Sequence, residues 1–373
     1  MVLGEKNQTR LEKGERGMTL ALNADANAGV TAMRDGFDFV LETLEAWLSG
    51  NVEGFQGPLE IFKFKGGQSN PTFKLVTKSA NYVLRRQPAG QLAKGAHAVD
   101  REARVLEALA DQDFPVPRVH AFCDDETVIG SKFFVMDMVE GRIFWDAGFR
   151  EVAAGERRAY FSEMNRVLAR LHQFDPEALR LGDFGRNGNY FERQIARWSK
   201  SYLADTDAGR DEGMDRLIEW LPAAVPQEDE SRIVHGDFRC DNLIFHPVQP
   251  RIVAVLDWEL STLGHPLADF AYHAIMYRMP PDIVAGIGDV EPASVSLPTE
   301  AEYVAEYCAN TGRDRIPDYD FYIAFNFFRL AAIFHGIKGR VARGQASSAH
   351  AAERAAAYPR LVKLALEAME SCR

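Results

Sequence analysis

Two neighbouring stretches, Ile233-Val-His-Gly-Asp-Phe-Arg-Cys-Asp-Asn-Leu-Ile-Phe245 and Ile252-Val-Ala-Val-Leu-Asp-Trp-Glu259, constrain this chain more than any other part of it. In the first, Asp237 is followed five positions later by Asn242, and Leu243-Ile-Phe245 then begins an apolar run of β type. In the second, an apolar run of strand length ends on Asp257. His-Gly-Asp by itself is a common loop tripeptide, and Asp and Asn are ordinary turn residues. A carboxylate at the end of a buried strand is another matter, because burying a charge is costly unless it is paired or metal-bound. Two short strands framing a loop, each delivering an oxygen ligand at its end, can hold Mg²⁺ between phosphates. The H-x-D-x-x-x-x-N spacing followed by such an aspartate is that of phosphoryl transfer.

The chain has 373 residues, 46% of them hydrophobic, which is more than one typical core and predicts two lobes. A formal charge of −11 argues against nucleic acid as the main partner. Cys123, Cys240, Cys308 and Cys372 are far apart and form no C-x-x-C pair, so reduced thiols in a cytoplasmic protein are expected rather than a disulfide framework or a zinc site. The first 32 residues mix charged and small side chains, lack the apolar core of a signal peptide, and are expected to be a mobile tail. No later stretch makes a charge-free apolar span of membrane length. The nearest, Phe321 to Ile337, is interrupted by Asn326, Arg329 and His335.

Apolar spacing predicts a helix from Phe37 to Leu48, then strands at Leu59–Phe64, Thr72–Val76 and Asn81–Arg85 separated by Gly, Ser, Asn and Pro. A helix from Ala98 to Leu109 and a buried strand from Ser131 to Met136 follow. After Glu140-Gly141 the chain turns helical: Arg157–His172, Tyr190–Tyr202, Met214–Trp220, Ala268–Met276, Glu300–Cys308, Asp320–Ile337 and Ala351–Met369. The expected fold is α+β, with a small antiparallel-sheet lobe over 33–140 that binds nucleotide. A larger, mainly helical lobe over 141–373 carries the loop, metal and substrate residues.

In Lys65-Gly-Gly-Gln-Ser-Asn-Pro-Thr72, Gly66 and Gly67 can let backbone approach a phosphate and Ser69 adds a donor; taken alone the segment is an ordinary glycine turn. On the strand that follows, Val83 and Arg85 share a face, so Val83 can line an adenine pocket while Arg85 reaches phosphates and pairs with Glu102. Arg86 points the other way and is expected to be solvated. In Phe134-Val-Met-Asp-Met-Val-Glu-Gly141, Met136 is the larger residue, and backbone at Asp137 and Val139 offers contacts to adenine before the chain changes lobe. Asn189 and Glu192 resemble a capping box opening a helix whose stripe Phe191, Ile195, Trp198 and Tyr202 is apolar and whose stripe Arg193, Arg197 and Lys200 is basic. Residues 321–350 contain no carboxylate but carry Arg329, Lys338, Arg340 and Arg343, so an anionic substrate could use Arg193, Arg197 or Arg340.

In this order, Gly-Gly-Gln-Ser-Asn, Tyr-Val-Leu-Arg-Arg, Arg101-Glu102, Val-Met-Asp-Met-Val-Glu-Gly, Leu171-His172, His-Gly-Asp-Phe-Arg-Cys-Asp-Asn and Leu-Asp-Trp-Glu resemble the aminoglycoside phosphotransferase family of the protein-kinase-like superfamily. The resemblance runs from about Phe37 to the C-terminus and is strongest to the kinase-like module fused to some acyl-CoA dehydrogenases. It implies a bilobal kinase-like fold, ATP or GTP as donor, and Mg²⁺. The acceptor it implies is a small-molecule hydroxyl, of which hydroxyacyl-CoA is the leading case. Residue by residue it implies a catalytic base at Asp237, metal ligands at Asn242 and Asp257, and phosphate contact from Arg85 supported by Glu102. His235 and Asp269 would support the loop. Aminoglycoside, choline or homoserine kinases are the alternatives, as is an inert nucleotide-binding protein. The chain departs from protein kinases at Arg85, Gly236 and Trp258-Glu259, and shows neither D-F-G nor an A-P-E-like segment after Asp257.

Overall fold

The computed structural model describes residues 30–31, 38–65, 70–88, 97–346 and 350–372. Gly66, Gly67 and Ser69 lie outside the described residues, as does most of the expected N-terminal tail. The chain divides into two compact units. One holds the described residues up to Trp145 together with Leu243–Pro247 and Val253–Glu259; the other holds Asp146–Asn242, Val248–Ile252 and the chain from Leu260 onward.

The first unit is built on an antiparallel sheet of six strands: β1 (Val30–Thr31), β2 (Glu60–Phe64), β3 (Thr72–Val76), β4 (Asn81–Arg86), β5 (Val119–Cys123) and β6 (Phe133–Asp137). Their order is β1-β2-β3-β4-β6-β5. Val30 and Thr31, within the expected tail, pair with Phe64 and Lys63 at the sheet edge. Side chains alternate across a strand, so Phe73 and Leu75 of β3, Tyr82 and Leu84 of β4, and Phe133 and Val135 of β6 share one face. They close a core with Leu44 and Leu48 of helix α1 (Leu41–Asn51), where each fully buried Leu or Phe contributes roughly 1.5–3 kcal/mol.

Strand parity overturns the expectation for Arg86. It shares the core side of β4 with Tyr82 and Leu84 and is only 2% exposed. Its Nε donates to Ser131 Oγ at 2.8 Å, its Nη1 to Asp38 at 2.8 Å, and its guanidinium lies over the Phe39 ring. A strand-end position allows this, because the stem packs with the core while the head finds polar partners. Val83 and Arg85 occupy the opposite face, next to helix α2 (Val99–Ala110), which carries Glu102.

The second unit contains α3 (Arg157–Leu171), α4 (Tyr190–Ala204), α5 (Glu212–Ala224), strand β7 (Arg232–Val234), strand β10 (Thr262–Gly264), α6 (Pro266–Ala274), α7 (Glu300–Thr311), α8 (Tyr319–Ala342) and α9 (Ala351–Ser371). Between β7 and β10 in the chain come β8 (Leu243–Phe245) and β9 (Ile252–Val255), which pair with each other and, Ile252 aside, belong to the first unit. Helix α8 is the spine, with α4, α6 and α9 packed against it. It is apolar on nearly every side, as a fully buried helix must be. The polar residues that interrupt it each hold backbone: Asn326 donates to Ala268 O, Arg329 to Gly236 O, and His335 meets Gly209 O. Among the described residues no helix is long and apolar enough to cross a membrane.

The capping box expected at Asn189 is absent. Asn189 sits at φ +49° with no side-chain cap bond, and such left-handed geometry suits Asn without presenting its side chain to the helix start. The reciprocal box occurs instead at Thr299 and Glu302. Asp211 caps α5 by accepting from Gly213 and Met214.

Candidate active site

Strand β7 pairs antiparallel with β10, matching Val234 with Thr262, and both strands lead directly into functional segments. After β7 comes His235-Gly-Asp237; after β10 comes His265, whose Nδ1 accepts from Leu267 N, with Pro266 starting α6. The pairing therefore lays the start of α6 beside the loop. Asp269 of α6 accepts from His235 N at 2.7 Å and from Gly236 N at 2.8 Å. Burial alone would raise the Asp269 pKa, but His172, His235 and these N–H groups outweigh it and hold the carboxyl below its ordinary value. Since Asp269 is ionised, His172 donates to it from Nε2 at 3.2 Å, while its Nδ1 meets Tyr307 OH at 2.7 Å. Gly236 takes φ +84°, and a Cβ there would stand 2.9 Å from Leu260 O. Only glycine fits this turn.

The loop then presents Asp237. Its own N–H donates to His235 Nδ1, and its carboxylate accepts from Tyr272 OH at Oδ1 (2.5 Å) and from Asn242 Nδ2 at Oδ2 (3.1 Å). Asn242 Nδ2 also donates to Asp237 O at 2.9 Å. Both Asn242 bonds use the amide nitrogen, which leaves the amide oxygen as the atom to face a cation. Arg239 is forked onto Asp241, with its Nε 3.9 Å from Asp237 Oδ1. Cys240 in the same loop is buried and its thiol is pushed up by that burial, so it packs rather than reacts. Tyr272 was not among the expected site residues, although its place three after Asp269 puts both on one helix face.

A partly open cavity lies beside this loop, lined by Arg239, Cys240, Tyr272, Met276, Met279 and Leu330 among others. On α4, Tyr190, Arg193 and Arg197 share a face, and the Tyr190 ring packs on Phe325 of α8. Burial raises the Tyr190 phenol pKa first, and the charges of Arg329, Arg193 and Arg197 reach it as well. Arg340 does not join them: it stands eleven residues beyond Arg329, about 16 Å further along α8.

In the first unit, Arg85 is the centre. Its Nη2 donates to Asp257 Oδ1 at 2.6 Å, its Nε lies 2.6 Å from Glu102 Oε2, and Glu259 Oε2 is 3.6 Å from Nη2. Asn70, fully buried, donates to Glu102 Oε1 at 2.8 Å and to Glu259 Oε2 at 3.4 Å. Asp257 adopts φ +64°, a left-handed conformation that Asp tolerates and β-branched residues do not. The ion pair reads differently from its two ends. At Arg85 desolvation is outweighed by three carboxylates and the guanidinium is held more firmly charged, whereas at Glu102, 3% exposed, burial outweighs Arg85 and pushes the carboxyl up to about 7. Both hold together, because one arginine answers three acids. That excess of negative charge suits a divalent cation at Asp257.

Met136 and Val83 are buried on adjacent strands, in register with each other. Asp137 N donates to Arg118 O at 2.9 Å, so that N–H is already engaged. The Asp137 side chain pairs with His120 Nε2 at 2.6 Å.

The sequence pattern of the phosphotransferase enzyme family (APH) matches residues 60–325. Acyl-CoA dehydrogenase family member 10 of Mus musculus is 42% identical over 313 residues, covering 83% of this chain and 29% of that protein. Family member 11 of Gallus gallus is 40% identical over 91% of this chain and 44% of its own length, so the chain spans less than half of these relatives. A crystal structure from Ralstonia eutropha, provisionally named an aminoglycoside phosphotransferase, has 46% identity and a TM-score of 0.83, covering 90% of this chain and 99% of that one. The α+β architecture, with its antiparallel sheet, helical second unit and His-Gly-Asp loop, is thus the protein-kinase-like one, and the chain belongs to the phosphotransferase enzyme family.

Proposed function

We propose that the chain transfers the γ-phosphoryl group of ATP to the hydroxyl of a small molecule, with hydroxyacyl-CoA esters as the first class of acceptor. The observation that carries the reading is the Asp237 carboxylate, held at both oxygens on a loop that Asp269 fixes through two backbone N–H groups. In this reading Asp237 orients the acceptor hydroxyl and takes its proton. The acceptor oxygen bonds to the γ-phosphorus as the bond to the β-phosphate oxygen breaks, and ADP leaves. Asn242 and Asp257 are the proposed ligands of Mg²⁺, which when bound neutralises phosphate charge. Arg85 is the proposed phosphate contact, oriented by Glu102, with Val83, Met136 and Val139 toward adenine. Phosphate contacts at Gly66, Gly67 and Ser69 complete the proposal.

The acceptor class rests on chemistry in the second unit. The cavity beside Tyr272 is walled by Met276, Met279, Val284 and Leu330, and the cations nearest the loop are Arg239 and Arg329. Apolar walls and positive charge suit an acyl chain on an anionic carrier and disfavour a polycationic aminoglycoside. Relatives named for acyl-CoA dehydrogenation support the same class.

The test is a screen of Mg²⁺-dependent ADP release across hydroxyacyl-CoAs, free hydroxy acids, aminoglycosides and amino alcohols. Turnover of a hydroxyacyl-CoA that falls at least about 100-fold in Asp237→Asn, to a measurable residual rate, with Mg·ATP still bound by calorimetry, is the expected result. A preference for aminoglycosides or choline would overturn the acceptor class, and full activity in Asp237→Asn would remove the base.

A further inference from the structure

One face of α6 grips the catalytic loop residue by residue. Asp269 takes the N–H groups of His235 and Gly236, Tyr272 donates to the side chain of Asp237, and His273 Nδ1 meets Phe238 O at 3.1 Å. Four successive loop residues are thereby tied to one rigid element. The Tyr272 ring is itself fixed: it is 7% exposed, and the Arg329 guanidinium, whose Nη2 donates to Gly236 O, lies 5.1 Å from its centroid. Burial and the charge of Asp237 both raise the phenol pKa, so the proton stays on Tyr272 and the bond runs from phenol to carboxylate.

A cation also stands near the same oxygen. Arg239, whose Nε and Nη2 donate to Asp241, holds its Nε 3.9 Å from Asp237 Oδ1, and its charge draws a carboxylate free to turn about its side-chain bonds. Tyr272 at Oδ1 and Asn242 at Oδ2 prevent the turn. A carboxylate oxygen accepts about two hydrogen bonds, so Oδ1 can hold the phenol and still face an acceptor hydroxyl. The phenol also borders the cavity, which places it between Asp237 and the space an acceptor would fill.

We infer that Tyr272 is a positioning residue for phosphoryl transfer: its hydroxyl, braced by Arg329, keeps Asp237 turned toward the acceptor and away from Arg239. The inference rests on the reading of Asp237 as the base. Tyr272→Phe keeps the ring, the Arg329 stacking and the cavity wall, and removes only the hydrogen bond. At saturating Mg·ATP, with water or a medium-chain 3-hydroxyacyl-CoA as acceptor, kcat should fall about 10- to 100-fold, as for a small misplacement of a reacting group. KM for Mg·ATP should stay put, and the melting temperature should fall by no more than the loss of one hydrogen bond, because phenylalanine keeps the ring packing. In an Asp237→Asn background, Tyr272→Phe should have no further effect, since a residue acting only through its partner is silent once that partner is changed.

An unchanged kcat in Tyr272→Phe overturns the inference. So does an equal loss in the Asp237→Asn background, or a fall in Mg·ATP affinity or melting temperature that matches the fall in rate. If Asp237→Asn alone keeps its rate, the base assignment fails instead, and the two failures are told apart by that single variant.

Discussion

Replacing Arg85 by Met removes the guanidinium that meets Glu102, Asp257 and Glu259 in the first unit. Glu102 decides the size of the effect. Its carboxyl already takes up a proton at about 7, against an ordinary value of 4.5, because burial outweighs the Arg85 charge. A group whose pKa is raised on folding favours the folded state at low pH, and that contribution is lost as pH rises, here across the window from 4.5 to about 7. Without Arg85 the window extends upward. Near pH 7 the variant therefore loses little from this source, about 0.5 kcal/mol, since Glu102 escapes by protonation. Above it the gap to the parent should widen by about 1.4 kcal/mol per pH unit until the new pKa is passed. Urea midpoints followed by tryptophan fluorescence, between about pH 6 and about pH 9, measure this directly. The double variant Arg85→Met/Glu102→Gln should abolish the widening. A pH-independent loss in Arg85→Met, or a widening that persists in the double variant, refutes the account of Glu102 as the buried charge that Arg85 answers.

The other expectations are simpler. Asp257→Asn keeps the left-handed geometry at φ +64° and removes the charge; calorimetry should show Mg·ATP binding weakened more than about tenfold, the least expected for losing even an outer partner of a metal. His265 and His273 are buried neutral, their pKa values pressed by burial from 6.5 to about 4. Each therefore contributes stability that is present above pH 6.5 and lost as pH falls toward about 4, about 3 kcal/mol apiece, and His273→Asn should flatten the acid limb of the urea midpoints. Arg197→Glu should raise KM for a CoA ester by about threefold to tenfold at low salt and by less at high salt; an unchanged KM at low salt removes Arg197 from the substrate side.

Much of the fold was legible because its elements carry their own periodicity. β3 is found at Thr72–Val76 as expected, with alternate residues buried, and α3, α4 and α8 end within a few residues of the expected bounds. The expectation for Met214–Trp220 stopped short because Pro222 reads as a breaker. In α5 it stands two residues before the end, so the helix continues only briefly past the bond that the proline forfeits. Strand β5 was missed because Val119–Cys123 follows Pro115 and Pro117 and is half-buried over its first four residues, with no alternation to detect. At the candidate site, the meeting of Asp237 and Asn242 was legible through their spacing. Tyr272 was not, since a tyrosine on an apolar helix carries no signal of the carboxylate it meets 35 positions earlier in the chain.

The first unit is discontinuous: Asp257 and Glu259 belong to it, yet they follow the whole stretch Asp146–Asn242 in the chain. A ribosome delivers the sheet, Arg85 and Glu102 early, and the two acids that complete the Arg85 cluster only after most of the helical unit's first half has emerged. A fragment ending at Trp145 would keep Arg85 with Glu102 alone. The first unit is therefore not a separable piece of sequence, and grafting or truncation experiments that cut after Trp145 remove the acids around Arg85 along with the helices.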